Sequence, residues 1–259
     1  MFKGKKIIVT GVASGIGAET ARQLKAQGAH VIGIDRNAPQ VAVDAFHQVD
    51  LMDEAAVDAV IEILKGQAAH GLANIAGVPP TASPEVVLTV NLVALKRLTL
   101  GLVDSLADGA AIVNLASLAG IGWEGEVARI KAAQGLDHDG VADFCATQGI
   151  TSDNSYFFTK QALVAWTHEN RWTWRGRGIR MNAVSPGPVE TPILADFLET
   201  LGERAEEDMK IMDRPGTPED IAPVVLFLLS QGSVWLRGVN IAADGGMRAN
   251  IDATSNGLS

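Results

Sequence analysis

Among 259 residues there is one cysteine, Cys145, and one tyrosine, Tyr156. A single thiol excludes an intrachain disulfide, and nothing in the cysteine usage points to an oxidising compartment. No apolar run approaches the roughly 18 uninterrupted residues of a membrane-spanning helix, so no membrane partner is expected. Basic residues are in deficit, 21 Lys and Arg against 30 Asp and Glu, which leaves a net charge of −9 and a sequence pI near 5.0. The basic residues are also scattered, which argues against nucleic acid as a partner. The opening "MFKGKKIIVTGVASGIG" puts basic residues before an apolar run, as a signal peptide does. Gly11, Gly15 and Gly17 break that run, and no small-residue cleavage pattern follows. An acidic, cytoplasmic α/β protein is expected.

What is present supports a large core: hydrophobic residues make up 47% and charged residues 20%, a balance typical of folded domains. "KKIIVTG" reads as a buried strand, "IGAETARQLKAQG" as a helix with Ile16, Thr20 and Leu24 on one face, and "HVIGID" as a second strand. A third strand ends at "VDL". The pattern continues with a helix in "DEAAVDAVIEILKG", a strand in "GLANIAG" and a long helix from Pro84 to about Leu106. "AAIVNLAS" is a strand, Ser155 to about Arg175 a helix and "IRMNAVSPG" a strand. Pro218 to about Ser230 is a helix, and "GVNIAADGG" the last strand. Strand–helix alternation from end to end predicts a doubly wound parallel sheet with helices on both faces and ligand beyond the strands' carboxyl ends. No repeat, linker or low-complexity segment appears, so residues 1–259 are expected to form one domain.

Two segments break the alternation, 121–152 and 188–216. Each follows the carboxyl end of a strand, and connections of that length are more often functional covers than passive loops. The first predicts a helical insertion; the second contains "ILADFLETLGERAEEDMK", a helical pattern with a charged outer face.

"TGVASGIG" joins the first strand to the first helix with glycines at 11, 15 and 17. Such a turn lets a pyrophosphate approach main-chain N–H groups at a helix start, so Gly11, Ser14, Gly15, Ile16 and Gly17 are candidate cofactor contacts. Asp35 closes the second strand, where a carboxylate accepts hydrogen bonds from both adenosine ribose hydroxyls and repels a 2′-phosphate. Arg36 beside it would tolerate a phosphate, but Ser14 is not basic, and NAD is the expected cofactor. Asp50 and Leu51 end the third strand within reach of an adenine. "NIAG", with Asn74 and Gly77, ends the fourth in a small-residue turn suited to the cofactor's middle.

Tyr156 and Lys160 are at i and i+4 and share a helix face. A tyrosine is about three units too weak an acid to serve as a base at neutral pH, a deficit of about 4 kcal/mol. A lysine ammonium at ~4 Å offsets about that much at an effective dielectric of ~20, and an oxidised nicotinamide ring adds a second positive charge. The pair therefore predicts an acid/base for an alcohol or carbonyl. Ser117, at the end of the fifth strand, is placed to hydrogen-bond the substrate oxygen. Asn91, inside the long helix, is a poor helix former; its expected role is to bend the helix so that a freed carbonyl holds a water against Lys160.

Taken together, "TGVASGIG", "NIAG", Asn91, Ser117, "YFFTK" and "PGPVETP" resemble the short-chain dehydrogenase/reductases in order and place, across essentially the whole chain. The resemblance implies a seven-stranded Rossmann-like sheet and a catalytic tetrad of Asn91, Ser117, Tyr156 and Lys160. It also implies that Tyr156 and Lys160 contact the cofactor, and that Pro186, Gly187, Val189 and Thr191 flank its nicotinamide. Small departures are Ile75 where a second Asn is usual and Ala116 before Ser117. A larger one is the spacing of Ser117 and Tyr156, 39 positions apart. That gap is similar to the bacterial 3α-hydroxysteroid dehydrogenase/carbonyl reductases. The wording of "GIDRNAP", "NIAGVP", "RMNAVSPGPVETPIL" and "ETLG" is similar to the coniferyl-alcohol dehydrogenases. The implied reaction is NAD-dependent interconversion of a small-molecule alcohol and its carbonyl, an aryl allylic alcohol ahead of a steroid. Trp123 and the 188–216 segment are expected to shape an apolar substrate pocket. The insertion is expected to lie beside the cleft and to cover helices that family members use for dimerisation, leaving a homo-oligomer open.

Overall fold

The computed structural model describes residues 1–194 and 212–258. Its strands are β1 (Lys6–Thr10), β2 (His30–Asp35), β3 (Ala45–Gln48), β4 (Ala69–Asn74), β5 (Leu106–Leu115), β6 (Arg180–Pro186) and β7 (Asn240–Ala243). All pair in parallel, in the order β3-β2-β1-β4-β5-β6-β7. The order reverses between β1 and β4, and a crevice opens there because successive connections leave to opposite faces of the sheet.

Two apolar layers cover the sheet. On one face, α1 (Gly15–Ala26) and α7 (Pro218–Leu229) bury Ala21, Leu24, Val225 and Leu228 against Ile7, Val9 and Val31. On the other, α2 (Glu54–Leu64), α3 (Pro84–Ser105) and α6 (Ser155–Glu169) bury Val57, Leu98 and Leu163 against Ile8, Leu72 and Ile112. The α3 helix is long and apolar enough to cross a membrane, but 72% of that stretch is buried inside the protein. It is a core helix. At its centre Thr89–Ala94 is a π-turn containing Asn91, so the expected irregularity is present at the expected residue. A short helix α8 (Met247–Ser255) follows β7.

The helix expected to run to about Arg175 stops at Glu169. Asn170 turns its side-chain amide back onto the Trp166 carbonyl at 2.9 Å, which satisfies an end carbonyl and lets the chain leave. The fifth strand begins four residues earlier than expected, at Leu106. The insertion forms a short 3-10 turn at Trp123–Glu126, then α4 (Val127–Ala132) and α5 (Val141–Gln148). Ile130, Val141, Phe144 and Ile150 of this segment pack on Leu88, Leu92 and Val93 of α3 and on Phe158, Ala162 and Ala165 of α6. It therefore covers the outer faces of those two helices. Most of the charged helical pattern at 193–210 lies outside the described residues.

A chain of buried amides and hydroxyls ties the elements that carry the site. Asn74 Nδ2 donates to Thr99 Oγ1 on α3 and to Asn114 Oδ1 on β5, both at 2.9 Å, and Asn114 Nδ2 donates to Thr167 Oγ1 on α6 at 3.0 Å. Inside a low-dielectric core a connected network of this kind specifies one arrangement, because any slip strands a polar group.

Candidate active site

The crevice at the β1/β4 switch is a cavity of about 450 Å³. Of the residues expected to hold a cofactor, Gly11, Ser14, Gly15, Ile16, Gly17, Asp35, Asp50, Leu51, Gly77 and Thr191 are on its wall. The glycine turn is shaped by close approach. A Cβ on Gly11 would lie 2.9 Å from the Ala76 main chain, and one on Gly17 would lie 2.0 Å from the Gly11 carbonyl oxygen. Thr10 Oγ1 accepts from the amides of Ile75 and Ala76 at 2.9 and 3.0 Å, locking the β4 turn against the glycine turn. Sequence reasoning passed over Thr10; a hydroxyl at a strand end before glycine was the available signal.

Ser14 caps α1 by position, but its side chain makes no cap hydrogen bond, so no hydroxyl competes with a phosphate for the first-turn amides. Asp35 Oδ2 accepts from the Ala13 amide at 3.0 Å and Oδ1 from Asn37 at 2.9 Å. The carboxylate thus braces the glycine turn and faces the cleft, with lone pairs left for ribose hydroxyls. Asp50 Oδ1 accepts from Met52 N at 2.9 Å. Glycine turn, uncapped helix start and facing carboxylate together fit the pyrophosphate and adenosine ribose of a dinucleotide.

Other expected contacts are placed elsewhere. Asn74 points into the core network, because its amide pairs with Thr99 and Asn114; Ile75 and Ala76 line the cleft in its stead. Pro186 ends the buried β6, and a Cβ on Gly187 would meet Asp244 at 3.2 Å. Val189 is buried and pairs with Gly216. These three residues fix the approach of Thr191, Pro192 and Ile193, which do reach the wall.

At the other end, Tyr156 and Lys160 are both buried on α6. Ser117 hydrogen-bonds the Tyr156 phenol, and its Oγ accepts from Ala119 N at 3.1 Å. The Ser117 contact lowers the phenol's proton affinity, the direction expected of a hydroxyl that donates to the phenol oxygen. Lys160 Nζ lies 5.5 Å from the Tyr156 ring centroid and donates to the Leu115 carbonyl at 2.9 Å. Leu115 is on the cleft wall, so Lys160 sits directly behind it.

The proton affinities depart from the expectation of an acidified phenol. Burial pushes Tyr156 well above the ordinary tyrosine range, and the Ser117 hydrogen bond offsets this only in part. Burial likewise lowers Lys160, to about 8. The loss of water on burial, which a comparison of charge with charge leaves out, dominates at both groups. Asn91 also differs in detail. Its Oδ1 accepts from Val78 N at 2.8 Å and its Nδ2 donates to Val78 O at 3.0 Å. The side chain holds the β4 turn, and a Cβ on Gly77 would meet Asn91 Oδ1 at 3.1 Å. Trp123 is away from the cleft, its ring centroid 5.4 Å from that of His168, three turns along α6 from Tyr156. The chain after Ser117 runs down that helix, with Ile121 O accepting from Gln161 Nε2 at 3.2 Å, and carries Trp123 with it.

Residues 5–128 match the family described as short chain dehydrogenase, and residues 140–248 the family described as enoyl-(acyl carrier protein) reductase. The chain is 41% identical over 251 residues to a coniferyl-alcohol dehydrogenase of Pseudomonas sp. (strain HR199 / DSM 7063), covering 94% of this chain and 96% of that protein. It is 27% identical over 257 residues to a 3-alpha-hydroxysteroid dehydrogenase/carbonyl reductase of Comamonas testosteroni, covering 96% and 98%. Among solved structures, the 3-alpha-hydroxysteroid dehydrogenase from Pseudomonas sp. B-0831 complexed with NADH superposes with a TM-score of 0.82 at 31% identity, over 96% of this chain and 99% of that one.

Proposed function

The chain belongs to the short-chain dehydrogenase/reductase family, and on that premise we propose that it interconverts an aryl allylic alcohol such as coniferyl alcohol and its aldehyde, with NAD. That it is an oxidoreductase of the alcohol dehydrogenase type follows from family membership. The observation that carries the chemical reading is the Ser117–Tyr156 hydrogen bond with Lys160 buried alongside, directly behind the Leu115 wall of the cleft.

The dinucleotide would be held by the glycine turn at Gly11–Gly17, by Asp35 at the adenosine ribose and by Asp50 and Leu51 beside the adenine. Bound there, it supplies the hydride acceptor for alcohol oxidation, or the donor in reverse, on a ring that is cationic when oxidised. Tyr156 hydrogen-bonds the substrate oxygen and exchanges its proton. Because burial holds the phenol protonated, the resting site is poised to donate to a carbonyl. In the oxidative direction the tyrosine must first give up its proton, and every nearby cation and hydrogen-bond donor assists. Ser117 supplies such a hydrogen bond. Lys160 supplies charge while protonated, and its value of about 8 means that this assistance fades as pH rises through that range. Asn91 keeps the β4 turn in register through Val78.

Asp35 favours NAD through its charge, and the NADH in the structurally similar hydroxysteroid dehydrogenase supports the same choice. The 41% identity to a coniferyl-alcohol dehydrogenase supports the substrate class. A 3α-hydroxysteroid is the second reading, favoured by the TM-score of 0.82. Initial rates on coniferyl alcohol and on a 3α-hydroxysteroid, each with NAD and NADP, test both. Faster turnover of coniferyl alcohol with NAD is expected; preference for the steroid would transfer the assignment to the second reading.

A further inference from the structure

We propose that the tip of the 121–152 insertion braces the adenine-side wall of the cleft, with His138 as a positioning residue that sets affinity for the adenosine part of the cofactor. The inference rests on the reading of this cleft as a dinucleotide site.

The insertion packs mainly on α3 and α6, yet its tip reaches across to α2. His138 is 7% exposed in its side chain. Its Nε2 is 3.4 Å from the Leu51 carbonyl oxygen, and since a carbonyl only accepts, Nε2 carries the proton. Leu51 and Asp50 line the cavity, so the imidazole grips the main chain of that wall from behind. Its Nδ1 is 3.8 Å from Glu54 Oε2 and has no hydrogen-bond partner among the described residues.

Glu54 opens α2 directly after the wall segment, and its other oxygen is 2.7 Å from Arg97 of α3. Arg97 also grips Asp58 through two nitrogens at 2.6 Å. On the insertion side, Asp137 Oδ1 accepts from Gly140 N at 3.0 Å, which closes the tip into a turn. Lys96 Nζ donates to the carbonyls of Ala133 and Gln134 at 3.3 and 2.9 Å. The tip is thus anchored to α3 at its base, and His138 is its contact with the wall. A buried imidazole that points an N–H at a cleft-wall carbonyl orders that wall before ligand arrives, so binding has less ordering to do.

Adenosine monophosphate is the discriminating probe, because it occupies the adenosine end and carries no nicotinamide. His138→Ala is expected to weaken binding of both adenosine monophosphate and NAD by about fivefold, the worth of one neutral hydrogen bond, with kcat at saturating cofactor and alcohol unchanged. His138→Gln, which offers an amide N–H at similar reach, is expected to recover most of the loss. Unchanged nucleotide affinity in His138→Ala, equal loss in the Gln variant, or a fall in kcat with binding intact would each overturn the proposal. Hydrogen exchange on the unaltered protein gives a second test that does not depend on a variant folding. Adenosine monophosphate should slow exchange of the 137–141 amides as well as those at 50–54, and an insertion tip indifferent to the nucleotide contradicts the coupling. If the unaltered protein binds NAD but not adenosine monophosphate, the adenine-side placement fails; if it binds neither, the dinucleotide reading itself fails, and the proposal falls with either.

Discussion

At the glycine turn the cleft is shaped largely by main chain held so close that a Cβ on Gly17 would lie 2.0 Å from a carbonyl oxygen. At the tyrosine the working atoms are side chains, and what matters is that Tyr156 and Lys160 are out of water. One end presents shape and main-chain amides around an open cavity. The other shifts proton affinities, and it does so through burial, which raises the phenol and lowers the ammonium. The two meet at Leu115, whose residue lines the cavity and whose carbonyl accepts from Lys160. A lesion at either end should therefore leave a different kinetic signature.

The sharpest break is Tyr156→Phe. Removing the proton donor should lower kcat by at least about 10³-fold, within the range of lost acid–base catalysis. NAD affinity, measured by fluorescence titration, should stay within about twofold if the glycine turn and Asp35 hold the phosphates and adenosine as proposed. Turnover that survives would end the assignment of Tyr156.

Next in size, Ser117→Ala should lower kcat by on the order of 10²-fold, as loss of a directed donor does. The sign of its pH effect follows from the site. Ser117's hydrogen bond lowers a phenol that burial has raised, so removing it makes the proton harder to release. The rising limb of alcohol oxidation against pH should move to more alkaline values; an acidic displacement would contradict the hydrogen bond's role.

Gly17→Ala inverts the pattern. The added methyl forces the start of α1 away from Gly11, and the dissociation constant for NAD should rise by roughly 30-fold, equivalent to about 2 kcal/mol of lost amide contacts. The pH dependence of kcat at saturating cofactor should be unchanged. The smallest effect is expected from Asp35→Asn, which removes the charge and keeps one acceptor oxygen for the Ala13 and Asn37 amides that the two carboxylate oxygens now serve. The ratio of kcat/KM for NAD over NADP should fall by about tenfold, as loss of one repulsion worth ~1.4 kcal/mol predicts. No change in that ratio would show that Asp35 acts on the turn alone.

Much of this was legible in the chain. The β1 run ending at "TG", the glycine spacing, the strand-end aspartate and the i, i+4 pair are local patterns, and each landed in the element expected of it. Asn91 was rightly singled out as helix-breaking, although what its side chain grips, Val78, is 13 positions away and left no local mark. Asn74 was misplaced for a related reason: a polar residue at a strand end reads the same whether it faces a ligand or joins a buried network. His138 carried no signal at all, since its partners on Leu51 and Glu54 are far along the chain.

What the amino acids determine by themselves is therefore the period of the sheet and helices, the flexible turn after β1 and the pairing of one phenol with one amine on a helix face. These depend on neighbours within a turn or two. Folding alone decides how dry the phenol becomes, where the insertion rests and which carbonyls the buried donors find, because desolvation and long-range contact are properties of packed neighbours that the covalent order does not display.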